Sequence, residues 1–202
     1  MSVGPANSAK GEERRDAILV EARRALLTEG YSGVSLRQIA TRLGISVGNL
    51  QYYFPTKDDL VEAVITKETQ VSLSILDDID WDFQNPGPCL RAAARALLRH
   101  HASDAGRFYA IAEALALYDP RYSRLKLRGY IYVFRNVEEL VTQIVPDLEA
   151  NQRTRLTRVL VALVDGASLQ IQFGRVSDTV GGIDALAHDV AVATERLLET
   201  WA

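Results

Sequence analysis

Cysteine and methionine are almost absent from this chain, with one residue of each, and aromatic residues make up only 7%. The single cysteine, Cys89, excludes an intrachain disulfide and is typical of a protein from a reducing compartment. Its ordinary interpretation is a small buried side chain rather than a redox sensor.

Long hydrophobic runs are also missing. No apolar segment approaches the roughly 18 residues that a membrane-spanning helix needs. The first residues, MSVGPANSAKGEERRD, contain no hydrophobic region of the kind found in secretion signals. We therefore expect a cytoplasmic protein with no membrane partner.

Sequence motifs for catalysis and metal binding are lacking as well. The chain has no nucleophile elbow, no glycine-rich phosphate loop and no HExxH motif. His100 and His101 are adjacent, so they point to different sides of a helix and cannot form a metal-binding pair one turn apart. The sequence predicts that the protein is not an enzyme and holds no metal or cofactor, with a helical enzyme acting on a small molecule as the alternative.

What is present fits one or two globular domains: 202 residues, of which 48% are hydrophobic and 24% charged. The net charge of −3 is unevenly divided. Residues 1–57 carry eight basic and five acidic side chains, whereas the remainder carries 15 basic and 21 acidic ones. A basic N-terminal part and an acidic remainder favour contact with nucleic acid at the N-terminal end.

The most informative stretch is SLRQIATRLGISVGNLQYYFPTK, residues 35–57. Ser35 and Gln38 have the spacing of a capping box, which predicts the start of a helix. Gly44 follows the last apolar position of that helix and is predicted to end it in a left-handed conformation. Ser46 is a second N-cap only two residues later, so the turn between the two helices is short.

The second of these helices has one inward side and one free side. Steps of 100° per residue place Val47 and Phe54 near Leu50, and this side is expected to pack inward. The other side carries small, amide and tyrosine residues with no acid, which suits an element that enters a major groove. The alternative is a helical hairpin in an ordinary α domain, with half-buried tyrosines. After Pro55, Thr56 and Asp59 predict another helix start, which holds Lys57 where it can bind a backbone phosphate.

The run RRDAILVEARRALLTEGYSGVSLRQIATRLGISVGNLQYYFPTKDDL, residues 14–60, resembles the N-terminal domain of the TetR family of bacterial repressors. The resemblance implies an all-α protein with a three-helix helix-turn-helix domain and a larger helical domain for ligand binding and dimerisation. Gln51 departs from the family pattern, since many members carry tyrosine there. The phosphate contact usual for that tyrosine is therefore open, and Gln51 is a candidate for reading a base.

Helical patterns fill the rest of the chain. We predict a DNA-binding domain over residues 1–55, of which 1–11 form a disordered arm, and a ligand-binding and dimerisation domain over 56–202. The first helix is expected over about 12–29, and a helix from Thr56 to about Asp80 joins the domains. A loop with the sequence WDFQNPGP follows, and Pro88 is expected to start the next helix. The remaining helices are predicted near 88–102, 104–118, 121–144, 150–173 and 183–201.

A ligand site is predicted from aromatic side chains among apolar ones in the second domain. Most aromatic residues at helical spacing are core, and this alternative stays open for each. Glu113 lies in the apolar run AIAEALALY and is either a buried acid that meets the ligand or a solvent-facing residue. The candidate ligand residues are Trp81, Phe83, Tyr109, Glu113, Tyr118, Tyr130, Phe134 and Gln170.

Two C-terminal amphipathic stripes predict a dimer surface, although each is equally compatible with internal core. The family resemblance implies that the last two helices form a four-helix interface with a partner. The candidate interface residues are Leu163, Ala167, Leu186, Val190, Ala193 and Leu197.

The sequence thus predicts a homodimeric transcriptional repressor that binds palindromic double-stranded operator DNA and is released by a small, largely apolar or aromatic effector. A binding protein that uses the N-terminal domain for docking is a further alternative. Base contacts are assigned to Arg37, Val47, Gly48, Asn49, Gln51 and Tyr52. Phosphate contacts are assigned to Ser35, Ser46, Tyr53 and Lys57.

Overall fold

A computed structural model describes residues 5–174 and 181–201 of the chain. Every regular element in these residues is a helix, which confirms the all-α prediction. The chain divides into two compact units between Glu68 and Thr69. The sequence had placed the division after residue 55; it falls later because Leu60, Val61 and Val64 are buried hydrophobic residues of the first unit.

The first unit contains α1 (Pro5–Gly33), α2 (Leu36–Arg42), α3 (Val47–Tyr53) and the larger part of α4 (Lys57–Ser74). Its core consists of fully buried aliphatic side chains contributed by all four helices. Burying each such side chain contributes about 1.5–3 kcal/mol. Its members include Ile18, Leu26, Ile39, Leu50, Leu60 and Val61.

Helix α1 is longer than predicted, because it starts at Pro5 rather than near residue 12. Proline suits the first turn of a helix, where the missing N–H would have no partner. Residues 5–11 are therefore helical and not a disordered arm; residues 1–4 of that arm lie outside the described residues. Gly30 adopts φ 68° and interrupts the helix where the sequence predicted its end.

Helix α4 ends at Ser74, not near Asp80 as predicted. The Ser74 hydroxyl donates to the carbonyl of Val71 at 2.9 Å. Asp77 and Asp78 follow. If the helix continued, their carboxylates would lie at the negative end of the helix dipole, where negative charge is unfavourable. The chain instead passes through turns toward the next helix.

The second unit contains α5 (Pro86–His101), α6 (Asp104–Tyr118), α7 (Pro120–Ile144), α8 (Ala150–Gln172) and α9 (Gly182–Trp201). The predicted positions of these helices are confirmed to within two residues at each end. Helix α5 starts at Pro86 rather than Pro88, with Asn85 as its N-cap. Side-chain oxygens of Ser103 and Asp119 cap α6 and α7 by accepting from backbone N–H groups at 3.2 and 2.7 Å.

Two hydrophobic clusters hold this unit together. One joins α5, α8 and α9 around Leu98, Ala167 and Val190. The other joins α7, α8 and α9 around Val141 and Leu156. Helices α8 and α9 contribute to both clusters, so the inward sides of both helices are used within the unit.

Candidate nucleic-acid interface and ligand site

Helix α3 is positioned by a tight turn and by one buried side. Gly44 has φ 64°, which permits the turn after α2. The Ser46 hydroxyl then accepts from the N–H of Asn49 at 3.1 Å and starts α3, as the sequence predicted. Leu50 is fully buried and Phe54 is 3% exposed, so these two side chains fix which side of α3 faces the core.

The opposite side of α3 is open. Gly48, Asn49 and Gln51 are exposed, and Tyr52 is 83% exposed. Val47 was expected on the inward side but is 37% exposed, because it lies at the first helical position, beyond the reach of the core. Five of the six candidate base-reading side chains therefore form one free face, which we call the reading face: Val47, Gly48, Asn49, Gln51 and Tyr52. The sixth, Arg37, is exposed on α2.

Tyr53 differs from its neighbour Tyr52. It is half-buried, and the two rings meet edge to face with centroids 5.2 Å apart. Its hydroxyl lies close to α1, since a Cβ added to Gly11 would be 3.9 Å from it. Tyr53 thus sits where the end of α3 meets the beginning of α1.

The start of α4 is a reciprocal capping box, as predicted. The N–H of Thr56 donates to Asp59 Oδ2 at 3.0 Å, and the N–H of Asp59 donates to Thr56 Oγ1 at 3.1 Å. Lys57 follows, with its Nζ 4.1 Å from the centre of the Tyr31 ring. Burial lowers the pKa of Lys57, and the charge of Asp58 acts in the opposite direction. The Tyr31 contact was not anticipated, because the two residues are far apart in sequence.

The capping box predicted at the start of α2 lacks its side-chain hydrogen bond, so this part of the prediction is wrong. Ser35 is the N-cap, but its side chain makes no capping hydrogen bond. The backbone alone closes the first turn, with the N–H of Ile39 donating to the Ser35 carbonyl at 3.0 Å. The half-buried Ser35 hydroxyl is therefore not engaged by the helix.

The predicted ligand residues do not share one site in the second unit. Trp81 lines a groove of about 520 Å³ together with Leu76 and Asp77 from the turns after α4. Its indole N–H donates to the Leu76 carbonyl at 3.2 Å, and its ring stacks on Phe83 with centroids 6.2 Å apart. The other wall is α7, which contributes Tyr132, Arg135, Asn136, Glu139, Leu140 and Gln143.

Glu113, Tyr130 and Phe134 lie in a polar cluster of α6, α7 and α8. The Glu113 carboxylate binds Lys126 at 2.6 Å, and the Lys126 ammonium lies 5.3 Å from the centre of the Tyr130 ring. The Tyr130 hydroxyl donates to Asp165 Oδ2 at 2.8 Å, and the Phe134 ring lies 6.0 Å from the Tyr130 ring. The sequence missed Lys126, although its spacing of four residues from Tyr130 on a helix was a usable signal.

Burial and neighbouring charges alter the protonation of this region. Burial raises the pKa of the Tyr130 phenol, and Asp165 reinforces the effect. Burial also raises the pKa of Asp165, while the hydrogen bond from Tyr130 acts in the opposite direction. Both shifts favour the protonated forms, so the surrounding protein disfavours adding negative charge here.

Tyr109 lies beside two histidines of α5. Its hydroxyl is 3.2 Å from His100 Nε2, and its ring meets the His101 ring edge to face at 5.2 Å. His101 Nδ1 is hydrogen-bonded to the hydroxyl of Ser168 on α8. Burial is the main cause that lowers the pKa of His101 to about 4, and the charge of His100 adds to it.

Two predicted ligand residues and most of the predicted dimer residues lie elsewhere. Tyr118 is 89% exposed at the end of α6, and Gln170 is exposed on α8, so neither lines the groove. The dimer stripes stay a prediction, and their side chains also make contacts within their own unit. Leu163, Ala167, Leu186 and Val190 belong to the α5–α8–α9 cluster, Leu197 packs against the other cluster, and Ala193 is partly buried.

A different side of α8 is free of such packing. Val159 is 44% exposed, Leu169 is 46% exposed and Phe173, just after the helix, is 74% exposed. Ala162 and Gly166 lie between them and are exposed as well. We call these five residues the α8 apolar stripe.

Residues 5–174 and 181–201 contain no group of three or more His, Cys, Asp or Glu side chains that could hold a metal ion. No helix in them is long and apolar enough to cross a membrane. Cys89 is buried, and its thiol lies 3.3 Å from the Asp80 carbonyl and 3.3 Å from the N–H of Asp82, so it helps to order the loop before α5.

Comparison with known proteins adds to this geometry. Residues 18–64 match the family model of bacterial regulatory proteins, tetR family. An uncharacterised helix-turn-helix transcriptional regulator from Xanthobacter autotrophicus is 35% identical over 95 residues, which are 47% of this chain and 46% of that protein. The chain thus spans less than half the length of this curated relative.

Solved structures match over nearly the whole chain. A transcriptional regulator from Rhodococcus sp. Rha1 has a TM-score of 0.73 at 19% identity, covering 92% of this chain and 96% of that one. The multidrug binding protein EbrR, in complex with malachite green, has a TM-score of 0.68 at 22% identity, covering 92% and 98%. These likenesses establish the fold. The matched proteins are regulators or binding proteins rather than enzymes, in agreement with the prediction from sequence.

Proposed function

We propose that this chain is a transcriptional repressor controlled by a small molecule, because residues 18–64 match the family model of bacterial regulatory proteins, tetR family. It binds a palindromic operator as a homodimer and is released by a largely apolar or aromatic effector. The observation that carries this proposal is the reading face of α3, which is open while Leu50 and Phe54 anchor its other side.

The reading face supplies the chemistry of base recognition. The amides of Asn49 and Gln51 both donate and accept hydrogen bonds, which matches the N6 and N7 edge of adenine. Val47 offers methyl groups to a thymine methyl, and Gly48 leaves room for close approach of the DNA. Tyr52, the most exposed of these side chains, has both a ring and a hydroxyl available for contact.

Phosphate contacts fix the register of such a helix without reading sequence. Lys57 suits this role because its ammonium lies over the Tyr31 ring and is held near the end of α3. Tyr53 is half-buried beside α1 and offers its hydroxyl. Ser35 has a hydroxyl that α2 does not use, so it remains available to a phosphate oxygen. Ser46 is assigned the same role through the lone pair that its cap leaves free.

Dimerisation through the α8 apolar stripe places two reading faces on one DNA duplex. Twofold symmetry brings the same stripe of each copy together, and Gly166 allows close approach of the two helices. Half-sites then lie about one helical turn of DNA apart (~34 Å) or a multiple of it. This surface differs from the interface predicted from the sequence, of which Ala167 and Val190 are buried and Leu163 and Leu186 are partly buried within the unit.

The groove lined by Trp81 is the proposed effector site. Its volume of about 520 Å³ lies within the range of small-molecule sites. Leu76 and Asp77 line it directly after α4, and α4 carries the chain onward from the reading unit. The complex of EbrR with malachite green supports a small-molecule ligand for this fold. To reduce the occupancy of the operator from nearly complete to nearly absent, the effector must bind the DNA-free state more tightly than the DNA-bound state by about 5.5 kcal/mol.

Selection from a random duplex DNA library at near-physiological salt tests the proposal. The purified protein is compared with a Tyr52→Ala, Lys57→Ala double variant. A matched control, Tyr118→Ala with Arg124→Ala, removes one exposed tyrosine and one exposed cation from the second unit.

The wild type and the control are expected to enrich the same inverted repeat, and the Tyr52, Lys57 variant is expected to lose it. The selection is repeated after denaturation and refolding, which removes any effector carried through purification. Failure of the wild type to enrich any sequence in both forms contradicts the proposed function.

A further inference from the structure

Apart from Lys57, whose ammonium lies over the Tyr31 ring, the cations of the first unit fall into two groups. One group is held by carboxylates of the same unit at hydrogen-bonding distance, so its charge is already compensated within the protein. Its pairs are Arg23 with Glu68 at 2.8 Å, Arg24 with Glu21 at 2.9 Å, Arg42 with Glu29 at 2.8 Å, and Lys67 with Asp16 at 2.8 Å.

The second group has no carboxylate partner among the residues that the structure describes. It comprises Arg37 on α2 and three cations at the beginning of α1: Lys10, Arg14 and Arg15. Arg15 makes a different contact, with its guanidinium carbon 5.3 Å from the centre of the Phe54 ring. Uncompensated charge is therefore concentrated in the first turns of α1.

These α1 cations share one side of the helix. Steps of 100° per residue place Lys10, Gly11, Arg14 and Arg15 within a sector of about 140°. The same steps put the neighbouring acids Glu12, Glu13 and Asp16 outside this sector. Helix α1 does contain acidic residues, but they lie outside this sector, so the sector itself is basic.

This basic sector adjoins the end of the reading helix. A Cβ added to Gly11 would lie 3.9 Å from the Tyr53 hydroxyl, and the Arg15 guanidinium covers the Phe54 ring. The Tyr53 hydroxyl therefore lies beside position 11 of α1. Lys10 is exposed and Arg14 is half-buried on the flank of the sector, one turn apart.

We propose that the first turns of α1 form a second DNA-backbone-binding element, in which Lys10 and Arg14 bind phosphates next to the one assigned to Tyr53. The inference rests on the proposed function, since it concerns the same DNA complex. DNA is the occupant favoured by charge, because two cations without a carboxylate partner, close to the Tyr53 hydroxyl, complement consecutive phosphates.

Such contacts contribute affinity without sequence preference. Each neutralised phosphate releases condensed counterions, so the slope of log K against log salt changes by about 0.9 per contact. The contribution of Lys10 and Arg14 is therefore expected to weaken with added salt and to be similar for operator and unrelated DNA.

The test compares two double variants that each remove two positive charges from the first unit. Lys10→Ala with Arg14→Ala removes the uncompensated cations, and Arg24→Ala with Lys67→Ala removes two cations already bound to carboxylates. Binding to the selected inverted repeat is measured by fluorescence anisotropy between about 50 and 200 mM salt. Circular dichroism melting confirms that each variant is folded.

The Lys10, Arg14 variant is expected to show a slope shallower by about two units per copy of the half-site, with the same preferred sequence. The Arg24, Lys67 variant is expected to keep the wild-type slope. A charge-conserving variant, Lys10→Arg with Arg14→Lys, is expected to retain most of the wild-type slope.

An unchanged slope in the Lys10, Arg14 variant overturns the inference while the operator binding of the wild type leaves the proposed function intact. An equal decrease of the slope in both alanine variants also overturns the inference, because the decrease would then reflect net charge rather than contacts made by α1. Absence of operator binding by the wild type removes the proposed function together with the inference.

Discussion

Ser35 and Ser46 show how two similar residues at helix starts differ in what they contribute. Both precede helices of seven residues, and both have extended backbone conformations. The Ser46 hydroxyl satisfies the N–H of Asn49, whereas the Ser35 hydroxyl satisfies no N–H group of its helix. Only the Ser46 side chain is expected to stabilise its helix by capping.

Replacing Ser46 with alanine is therefore expected to lower the free energy of unfolding of the first unit by about 1 kcal/mol, because the Asn49 N–H loses its acceptor. Replacing Ser35 with alanine is expected to have a clearly smaller effect on stability. Urea denaturation followed by circular dichroism measures both changes in the same background. Equal destabilisation by the two variants would contradict the difference in capping.

The contact between His101 and Ser168 ties α5 to α8 in the interior of the second unit. The groups facing His101 are the His100 side chain, which lowers its pKa further, and the Glu113 carboxylate, which raises it. Burial and His100 together outweigh Glu113, so the imidazole is neutral in the folded protein near pH 7. Protonation of the buried His101 at low pH is expected to weaken the packing of α5 on α8, because it places a charge in the interior.

The pKa of His101 is lowered from 6.5 in the unfolded chain to about 4 in the folded protein. Stability from this group is thus fully present above pH 6.5 and is lost as pH falls toward 4. The slope approaches about 1.4 kcal/mol per pH unit within that window, since unfolding takes up one proton.

A His101→Asn variant is expected to lack this part of the pH dependence, while His188→Asn, a change at an exposed position of α9, retains it. Urea midpoints measured from pH 7 to pH 4 provide the comparison. Identical pH profiles for the wild type and His101→Asn would show that His101 is not the titrating group.

The proposed pairing of two copies follows from which apolar surfaces of the second unit are already used within it. The α8 apolar stripe is exposed, whereas the side chains around Ala167 and Val190 are packed inside the α5–α8–α9 cluster. A second exposed apolar pair, Leu127 and Ile131 on α7, is 60% and 61% exposed. The proposed dimer assigns a partner to the stripe on α8 alone.

Charged residues on that stripe are expected to separate the copies. Val159→Glu with Leu169→Glu should yield a folded monomer of 22.3 kDa, because two carboxylates per copy would be buried at the interface. The matched change on α7, Leu127→Glu with Ile131→Glu, should leave a dimer. Sedimentation velocity distinguishes the two masses, and a dimer of the α8 variant would move the interface to another surface.

Much of the candidate site was accessible from sequence because it depends on local rules. The Ser46 cap, the left-handed Gly44 and the Thr56–Asp59 capping box each involve residues within a few positions of one another. Such contacts depend on backbone geometry and side-chain type, and both are readable from spacing. The reading face, apart from Val47, followed from the same periodicity.

The amino-acid sequence by itself determined where the helices begin and end, to within a few residues except at the start of α1 and the end of α4, and which segment carries the reading helix. Only the tertiary structure decided which apolar side of α8 is core, because that helix is apolar over much of its circumference and periodicity cannot choose between two such sides. The tertiary structure likewise brought Lys57 onto Tyr31 and Lys126 to Glu113. Those contacts join separate helices, so they depend on packing and leave no local pattern in the chain.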